Sequence, residues 1–217
     1  MSFSSEEQMA NPTKRYIDAK NGRVSFYDKN LADRVDVPVP FEFIVLDRLS
    51  CAVGWSDEDQ SGYWSNEVRN VNENELSIRT SKGIKETGLW KDIKSKPSVA
   101  GSKFATSLYI AHKSKGGMDI ANLKLTGSSL RAWIEFTGHN NIRRGKVSLS
   151  GWKEMKKGAV AYKVPEFELV DMTDEERTQA KALDEKLQYY FKESLKTPVR
   201  EQPKKVEEDE TFDDIPF

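Results

Sequence analysis

The segment KFATSLYIAHKSKGGMDIANLKL, residues 103–125, has the pattern of a long β-hairpin. Its first strand alternates with a period of two, which places three apolar residues on a core side: Phe104, Leu108 and Ile110. The opposite side is predicted to be cationic with one aromatic ring, because it holds Lys103, Tyr109 and Lys113. The turn SKGGMD leads into a returning strand, IANLKL, with Lys124 on its outer side.

Patterns typical of further strands lie on both sides of this hairpin. They cover residues 41–55, 63–71, 75–80, 146–152 and 159–171, with a possible short strand at 89–93. Between the hairpin and the last two strands, residues 128–137 change to helical spacing, which predicts a short helix. This order predicts a mainly β fold on the OB plan, a five-stranded Greek-key barrel with one helix before its fourth strand. A β-sandwich of another topology would have the same pattern, because strand pairing cannot be read from one sequence.

The flanks of this core differ from it in composition. Residues 1–38 are polar, and we expect an arm with little structure of its own beyond a short strand at 23–27. Residues 39–171 form the predicted core. Residues 172–196 are predicted to be a helix, since Thr173 and Glu176 make a capping box and apolar residues recur at helical spacing. The apolar stripe of that helix must cover either the barrel or the same helix in a homodimer. Residues 197–217 hold three prolines and a charge run, and we expect disorder there.

Composition argues against several classes of protein. No apolar run approaches the roughly 18 residues of a membrane span, and the first residues lack the pattern of a signal peptide, so we expect a cytoplasmic protein. Cys51 is the one cysteine and the two histidines are far apart, so we expect no disulfide, no zinc site and no cofactor. The common phosphate-loop, zinc-protease and serine-hydrolase motifs are missing, and the adjacent acids 57–59 are typical of a solvated loop, which argues against an enzyme.

The net charge of -1 conceals a strong segregation of charge along the chain. Residues 79–163 hold 18 basic and 5 acidic side chains, a net charge of +13, whereas the last eleven residues hold six acids and no cation. A basic segment of this kind is typical of a surface that binds a polyanion. The acidic end could compete with that polyanion for the same surface.

Aromatic rings are interleaved with these cations. A ring stacks on any unpaired base, and lysine or arginine neutralises phosphate, so the pattern predicts sequence-tolerant binding of single-stranded DNA. An RNA-binding or annealing protein is the alternative, because a stacking groove does not by itself distinguish ribose from deoxyribose. Phe104 and Trp133 are expected in the core, and Trp152 on an exposed face. The candidate DNA-binding residues are Trp55, Trp90, Lys91, Lys94, Lys103, Tyr109, Lys113, Lys124, Arg143, Arg144, Lys146, Trp152, Lys153, Lys156, Lys157, Tyr162 and Lys163.

The final residues, EEDETFDDIPF, resemble the acidic C-terminal tip of bacterial and phage single-stranded DNA-binding proteins. In that family the tip docks on replication or recombination proteins, its terminal ring entering an apolar pocket while the acids meet a basic rim. The resemblance implies the same partner-binding role for five residues here: Asp213, Asp214, Ile215, Pro216 and Phe217. A terminal ring and carboxylate on a flexible tether fit such a role.

A second, looser resemblance covers more of the chain. Residues 103–136 and 156–170, KFATSLYIAHKSKGGMDIANLKLTGSSLRAWIEF and KKGAVAYKVPEFELV, look like the core of small phage-encoded OB-fold single-stranded DNA-binding proteins. The resemblance implies a replication, recombination or repair role in the cytoplasm of an infected bacterium. The long helix before the tail departs from the bacterial housekeeping members of this class, so their tetramer is not expected to carry over.

Overall fold

The computed structural model describes residues 10–195, and this part of the chain is mainly β. Eleven strands occur in it: β1 (Arg15–Lys20), β2 (Arg23–Asp28), β3 (Asp33–Val37), β4 (Phe41–Ser56), β5 (Ser61–Ser65), β6 (Leu76–Thr80), β7 (Gly83–Gly88), β8 (Ser102–Ser114), β9 (Gly117–Thr126), β10 (Lys146–Lys157) and β11 (Val160–Val170). The α-helices there are α1 (Trp90–Ile93), α2 (Gly127–His139) and α3 (Asp174–Ser194). The predicted mainly β class, with a short helix and a longer C-terminal one, is confirmed.

The strands form one sheet in the order β3-β2-β1-β9-β8-β4-β5-β6-β7, and β10 pairs with both β4 and β11. The β8–β9 hairpin lies at its centre, with an unbroken register from Ala105 opposite Thr126 to Ser114 opposite Gly117. Leu108 and Ile110 are fully buried on the predicted core side of β8. The hairpin predicted from residues 103–125 is therefore confirmed.

The N-terminal region is more structured than the arm expected from its polarity. Strands β1, β2 and β3 pair antiparallel with one another, and β1 runs parallel to β9, with Arg15 opposite Ala121. Apolar residues alternate with charged and polar ones in β1 and β2, which makes the strands look polar in the sequence. This alternation puts Ile17, Ala19 and Val24 into the main core. The expectation of an arm with little structure was wrong for residues 15–37.

The connection between β4 and β8 also differs from the expectation. Strand β6 is confirmed, but the strand predicted at 63–71 stops at Ser65, and the one predicted at 89–93 is the helical turn α1 followed by a 3₁₀ turn at Pro97–Val99. Because Ile93 and Val99 are buried against Leu76 and Ile78, the connection has a small core of its own. It extends the sheet sideways from the end of β4.

The main core lies between the inner side of the sheet, α2 and the β10–β11 hairpin. Trp133 of α2 is almost fully buried, and its ring contacts those of Phe43, Phe136 and Phe167 at centroid distances of 5.3 to 6.3 Å. Phe104 is partly buried against the same core. Both residues lie where the sequence predicts them.

Helix α3 crosses the outer side of β4, β8 and β9. It begins with the predicted capping box: Thr173 Oγ1 accepts from the backbone N–H of Glu176, whose carboxylate accepts from the N–H of Thr173. Its buried residues Leu187 and Phe191 pack on the sheet of the same chain. This covers the apolar stripe that was expected to lie on the barrel or in a homodimer. No helix within residues 10–195 has the length and apolar character needed to cross a membrane.

Candidate nucleic-acid interface

One end of the outer side of the sheet carries two exposed tryptophans, which we name the tryptophan face. A row of cross-strand neighbours runs Lys103, Val53, Trp64, Arg79, Ile84 over β8, β4, β5, β6 and β7. Trp55 lies beside this row, opposite Gly62, which has no side chain to cover the indole ring. Trp55 is 54% exposed and Trp64 43%. Neighbours of this kind share a side of the sheet, so both rings face the same solvent.

Two tight contacts hold the tryptophan face in place. The backbone of Gly101 approaches β4 so closely that a Cβ on Gly101 would fall 2.0 Å from the carbonyl oxygen of Trp55. On the other flank, the buried Asp59 accepts hydrogen bonds from Thr80 and Lys85, and Lys85 is the chief reason that the pKa of Asp59 is lowered to about 2. Asp59 therefore ties the β4–β5 turn to β6 and β7. Of the three acids expected in a solvated loop, 57 and 58 are exposed and Asp59 is not.

Two cations on this side of the sheet have no acidic partner among residues 10–195. Lys103 is exposed and adjoins Val53 in the row, and Lys124 is half-buried opposite Ser107 on the same side of the sheet. An ammonium group with no carboxylate to neutralise it is free to meet a phosphate. Stacking rings and unpaired cations are the two groups that a single strand needs.

Further along the same side, α3 covers the strands and Tyr109 is buried. Its ring meets that of Phe191 edge-on at a centroid distance of 4.8 Å, and its hydroxyl donates to Glu67. Burial is the main reason that the pKa of Tyr109 is raised. The expectation of an exposed, stacking Tyr109 was wrong, because period-two alternation locates a side chain on a side of the sheet but does not show what covers that side.

Two of the candidate tryptophans are half-buried and pack against the cores. A β-bulge between Leu149 and Gly151 adds one residue to β10, so Trp152 moves to the core side and lies opposite the buried Pro165. The expectation that Trp152 is exposed was therefore wrong. Trp90 starts α1 and packs on the core of the connection, with its ring 6.2 Å from that of Phe104.

The β10–β11 hairpin extends past the sheet as a two-stranded arm, residues 152–165, which we name the β-ribbon. Strand β10 pairs with β4 only as far as Leu149, which lies opposite Phe41. Beyond that point β10 pairs with β11. Strand β10 thus continues to Lys157, five residues past the end of the strand predicted at 146–152. Four candidate lysines, three on β10 and one on β11, are exposed here without an acidic partner among the described residues: Lys153, Lys156, Lys157 and Lys163. Tyr162 is half-buried opposite Met155.

The β-ribbon reaches the β1–β2 turn. The stem of Lys163 rests on Gly22, where a Cβ would fall 2.3 Å from Lys163 Cδ and where φ is +79°. Asp18 of β1 pairs with Lys124 of β9, which pairs with Ser107 of β8. The β1–β2 turn, which holds Gly22, therefore lies at the end of the sheet where β8 begins near Lys103. From β1 to β5 is four strand spacings, about 20 Å along the sheet.

The other candidate cations are scattered or already paired. Lys91 and Lys94 are exposed on and after α1, and Arg143 and Arg144 are exposed in the loop after α2. The thirteen residues of α2 separate that loop from the end of β9 by about 20 Å.

Two further candidates hold α3 in place. Glu176 accepts from Lys146 Nζ at 3.0 Å and from Lys113 Nζ at 3.2 Å. The backbone N–H of Thr173 is the main cause of the lowering of the pKa of Glu176 to about 2. Lys146 is also largely buried and pairs with Glu42 of β4. Its ammonium group therefore links α3 to the sheet and is not available to a ligand.

Trp64 and Arg79 of the tryptophan face are not among the candidate DNA-binding residues. Trp64 has no cation beside it in the sequence, and its cation neighbour Arg79 comes from the adjacent strand β6. The signal that could have found it is the short YWS strand after a polar loop, which places Trp64 and Tyr63 on opposite sides. Tyr63 is buried and Trp64 is exposed.

Within residues 10–195 no group of three or more His, Cys, Asp or Glu side chains is arranged to hold a metal ion. Cys51 is buried, and burial raises the pKa of its thiol. Comparisons with protein-family models, curated proteins and solved structures found no match to this chain. The candidate partner-binding residues 213–217 lie outside the described residues.

Proposed function

We propose that this protein binds single-stranded DNA without sequence preference, through the tryptophan face and the lysines of the β-ribbon, and that it does no chemistry on the strand. The observation that carries the proposal is the pair of exposed rings, Trp55 and Trp64, on one side of the sheet beside the unpaired Lys103. Exposed aromatic rings beside a cation form a surface on which bases can stack. Bases in a duplex are already stacked, so unpaired bases are the ligand that fits.

The order of the elements supports an OB-type barrel as the scaffold. The long strand β4 pairs with β8, β8 with β9, helix α2 follows, and β10 returns to pair with β4 before β11. OB folds bind oligonucleotides on the side of their second and third strands and on the two loops that flank it. In this chain those positions correspond to β8 and β9, to the β4–β8 connection with Trp64, and to the β-ribbon. The N-terminal strand β1 occupies the edge of β9, which is an addition to that plan.

The proposed setting is DNA replication, recombination or repair, with a phage origin. The acidic tip would recruit replication or recombination proteins, and the site of action would be the cytoplasm of the infected cell. Support for this part comes from the sequence of residues 213–217 and from the charge pattern.

The test is a titration of the full chain with poly-dT, monitored by quenching of tryptophan fluorescence. We expect strong quenching, an affinity that falls as salt is raised, and much weaker binding to a duplex of the same length. Matched poly-U is the comparison for RNA. Equal or tighter binding to the duplex would refute the proposal, and a clear preference for poly-U would favour the RNA-binding alternative.

A further inference from the structure

One face of the β-ribbon carries a partly exposed apolar strip. Cross-strand pairs alternate between the two faces of the ribbon, and one face holds Met155 opposite Tyr162 and Lys157 opposite Val160. Met155 is 39% exposed and Val160 66%. The other face holds Glu154 opposite Lys163 and a small residue, Ala161, opposite Lys156. The apolar residues are therefore gathered on one side of the arm.

The charge of the arm indicates what kind of partner meets this strip. Four lysines and one glutamate lie between residues 153 and 163, and Lys153 and Lys157 flank the strip on its own face. A polyanion is the partner that such charges attract, whereas a second copy of the arm would bring like charges together. The strip is accordingly expected to meet nucleic acid.

Within nucleic acid, the chemistry of the strip fits a paired end better than a free strand. Tyr162 carries the ring of the strip and is half-buried, whereas the two more exposed residues, Met155 and Val160, have no π-face on which an unpaired base could stack. Methionine and other apolar side chains are instead used as wedges that enter between base pairs and unstack them. The strip lies about 20 Å beyond the last pairing of β10 with β4, which joins Leu149 to Phe41.

We propose that the β-ribbon opens base pairs at the junction between single-stranded and double-stranded DNA, with Met155 and Val160 entering beside the terminal pair and the flanking lysines holding the two backbones. The freed strand then passes to the tryptophan face. This inference rests on the proposed function, because it needs a site that retains the released strand.

The experiment uses the full chain and a forked duplex with a fluorescent adenine analogue in the last base pair, whose emission rises when the base unstacks. The test variant carries Met155→Thr and Val160→Thr, which keep good strand formers on the arm. Ala161→Thr, on the opposite face of the same arm, is the matched control. We expect the unmodified chain and the control to raise the emission, and the test variant to lose most of that rise while its affinity for poly-dT is unchanged.

Three results would overturn the proposal. The test variant could open the fork as well as the unmodified chain does, which would make the strip irrelevant. It could lose poly-dT affinity in proportion to fork opening, which would make the strip part of the single-strand groove. It could sediment at a smaller mass than the unmodified chain, which would make the strip a contact between copies. Failure of the proposed function itself is distinguishable, because the unmodified chain would then not bind poly-dT.

Discussion

Replacement of Trp55 by alanine should weaken binding to poly-dT about 5- to 150-fold, because stacking one base on an aromatic ring is worth about 1–3 kcal/mol and 1.4 kcal/mol is tenfold. The same substitution also removes the covered part of the ring. Trp55 is 54% exposed, so a little under half of its side chain is buried. With about 200 Å² for a whole tryptophan and 25 cal/mol per Å², the free energy of unfolding falls by at most about 2 kcal/mol.

That loss leaves a typical domain folded, so binding and stability can be measured separately. The assay is the same fluorescence titration, with affinities taken from competition against a labelled oligo-dT and unfolding followed in urea. Trp64→Ala is the companion variant. Tyr189→Ala is the control, because Tyr189 is 57% exposed on α3, outside the tryptophan face. If both tryptophan variants bind poly-dT as tightly as the tyrosine variant does, the proposed stacking surface is wrong.

Three further predictions follow from the described contacts. Tyr109→Phe should lower the free energy of unfolding by about 1–3 kcal/mol in urea without changing poly-dT affinity, since it removes the donor to a carboxylate of Glu67; a loss of affinity instead would return Tyr109 to the binding surface. Replacing Lys156 and Lys157 by glutamine should reduce the slope of log K against log salt by about 1.4, at roughly 0.7 for each phosphate contact on a single strand; an unchanged slope would exclude the tip of the ribbon. The pKa of Glu176 is lowered to about 2 in the folded protein, so its contribution to stability is complete above the unfolded pKa near 4.5 and is lost as the pH falls towards 2. Urea unfolding of Glu176→Gln should therefore differ from that of the unmodified chain at pH 7 and converge with it at low pH, and a constant difference would contradict this linkage.

The elements that could be predicted from the sequence are those with a strong local pattern. The β8–β9 hairpin follows from unbroken alternation, and the start of α3 follows from Thr173 and Glu176, which interact within one turn. The N-terminal strands could not be predicted in the same way, because β1 is stabilised by pairing with β9, about a hundred residues away.

The candidate site was predictable to a smaller extent, for two physical reasons. Regular alternation puts Trp152 on the same side of β10 as Lys146, six residues earlier, which is the exposed side. A single extra residue in β10 reverses the two sides beyond Leu149, so this prediction was wrong. The second reason is that a distant element can cover part of the sheet. Helix α3 begins more than sixty residues after Tyr109 and yet buries its side chain. Trp55 and Lys103 were found because each lies at the end of a strand whose pattern is clear.

The parallel pairing of β1 with β9 also bears on how the chain folds during its synthesis. Arg15 leaves the ribosome first, and its partner Ala121 follows 106 positions later. At about 5–20 residues per second, β1 waits roughly 5–20 s for the edge on which it settles. During that interval Ile17, Ala19 and Val24 have no core to enter. The charged residues that alternate with them, among them Asp18, Lys20 and Arg23, would then keep the nascent segment from aggregating.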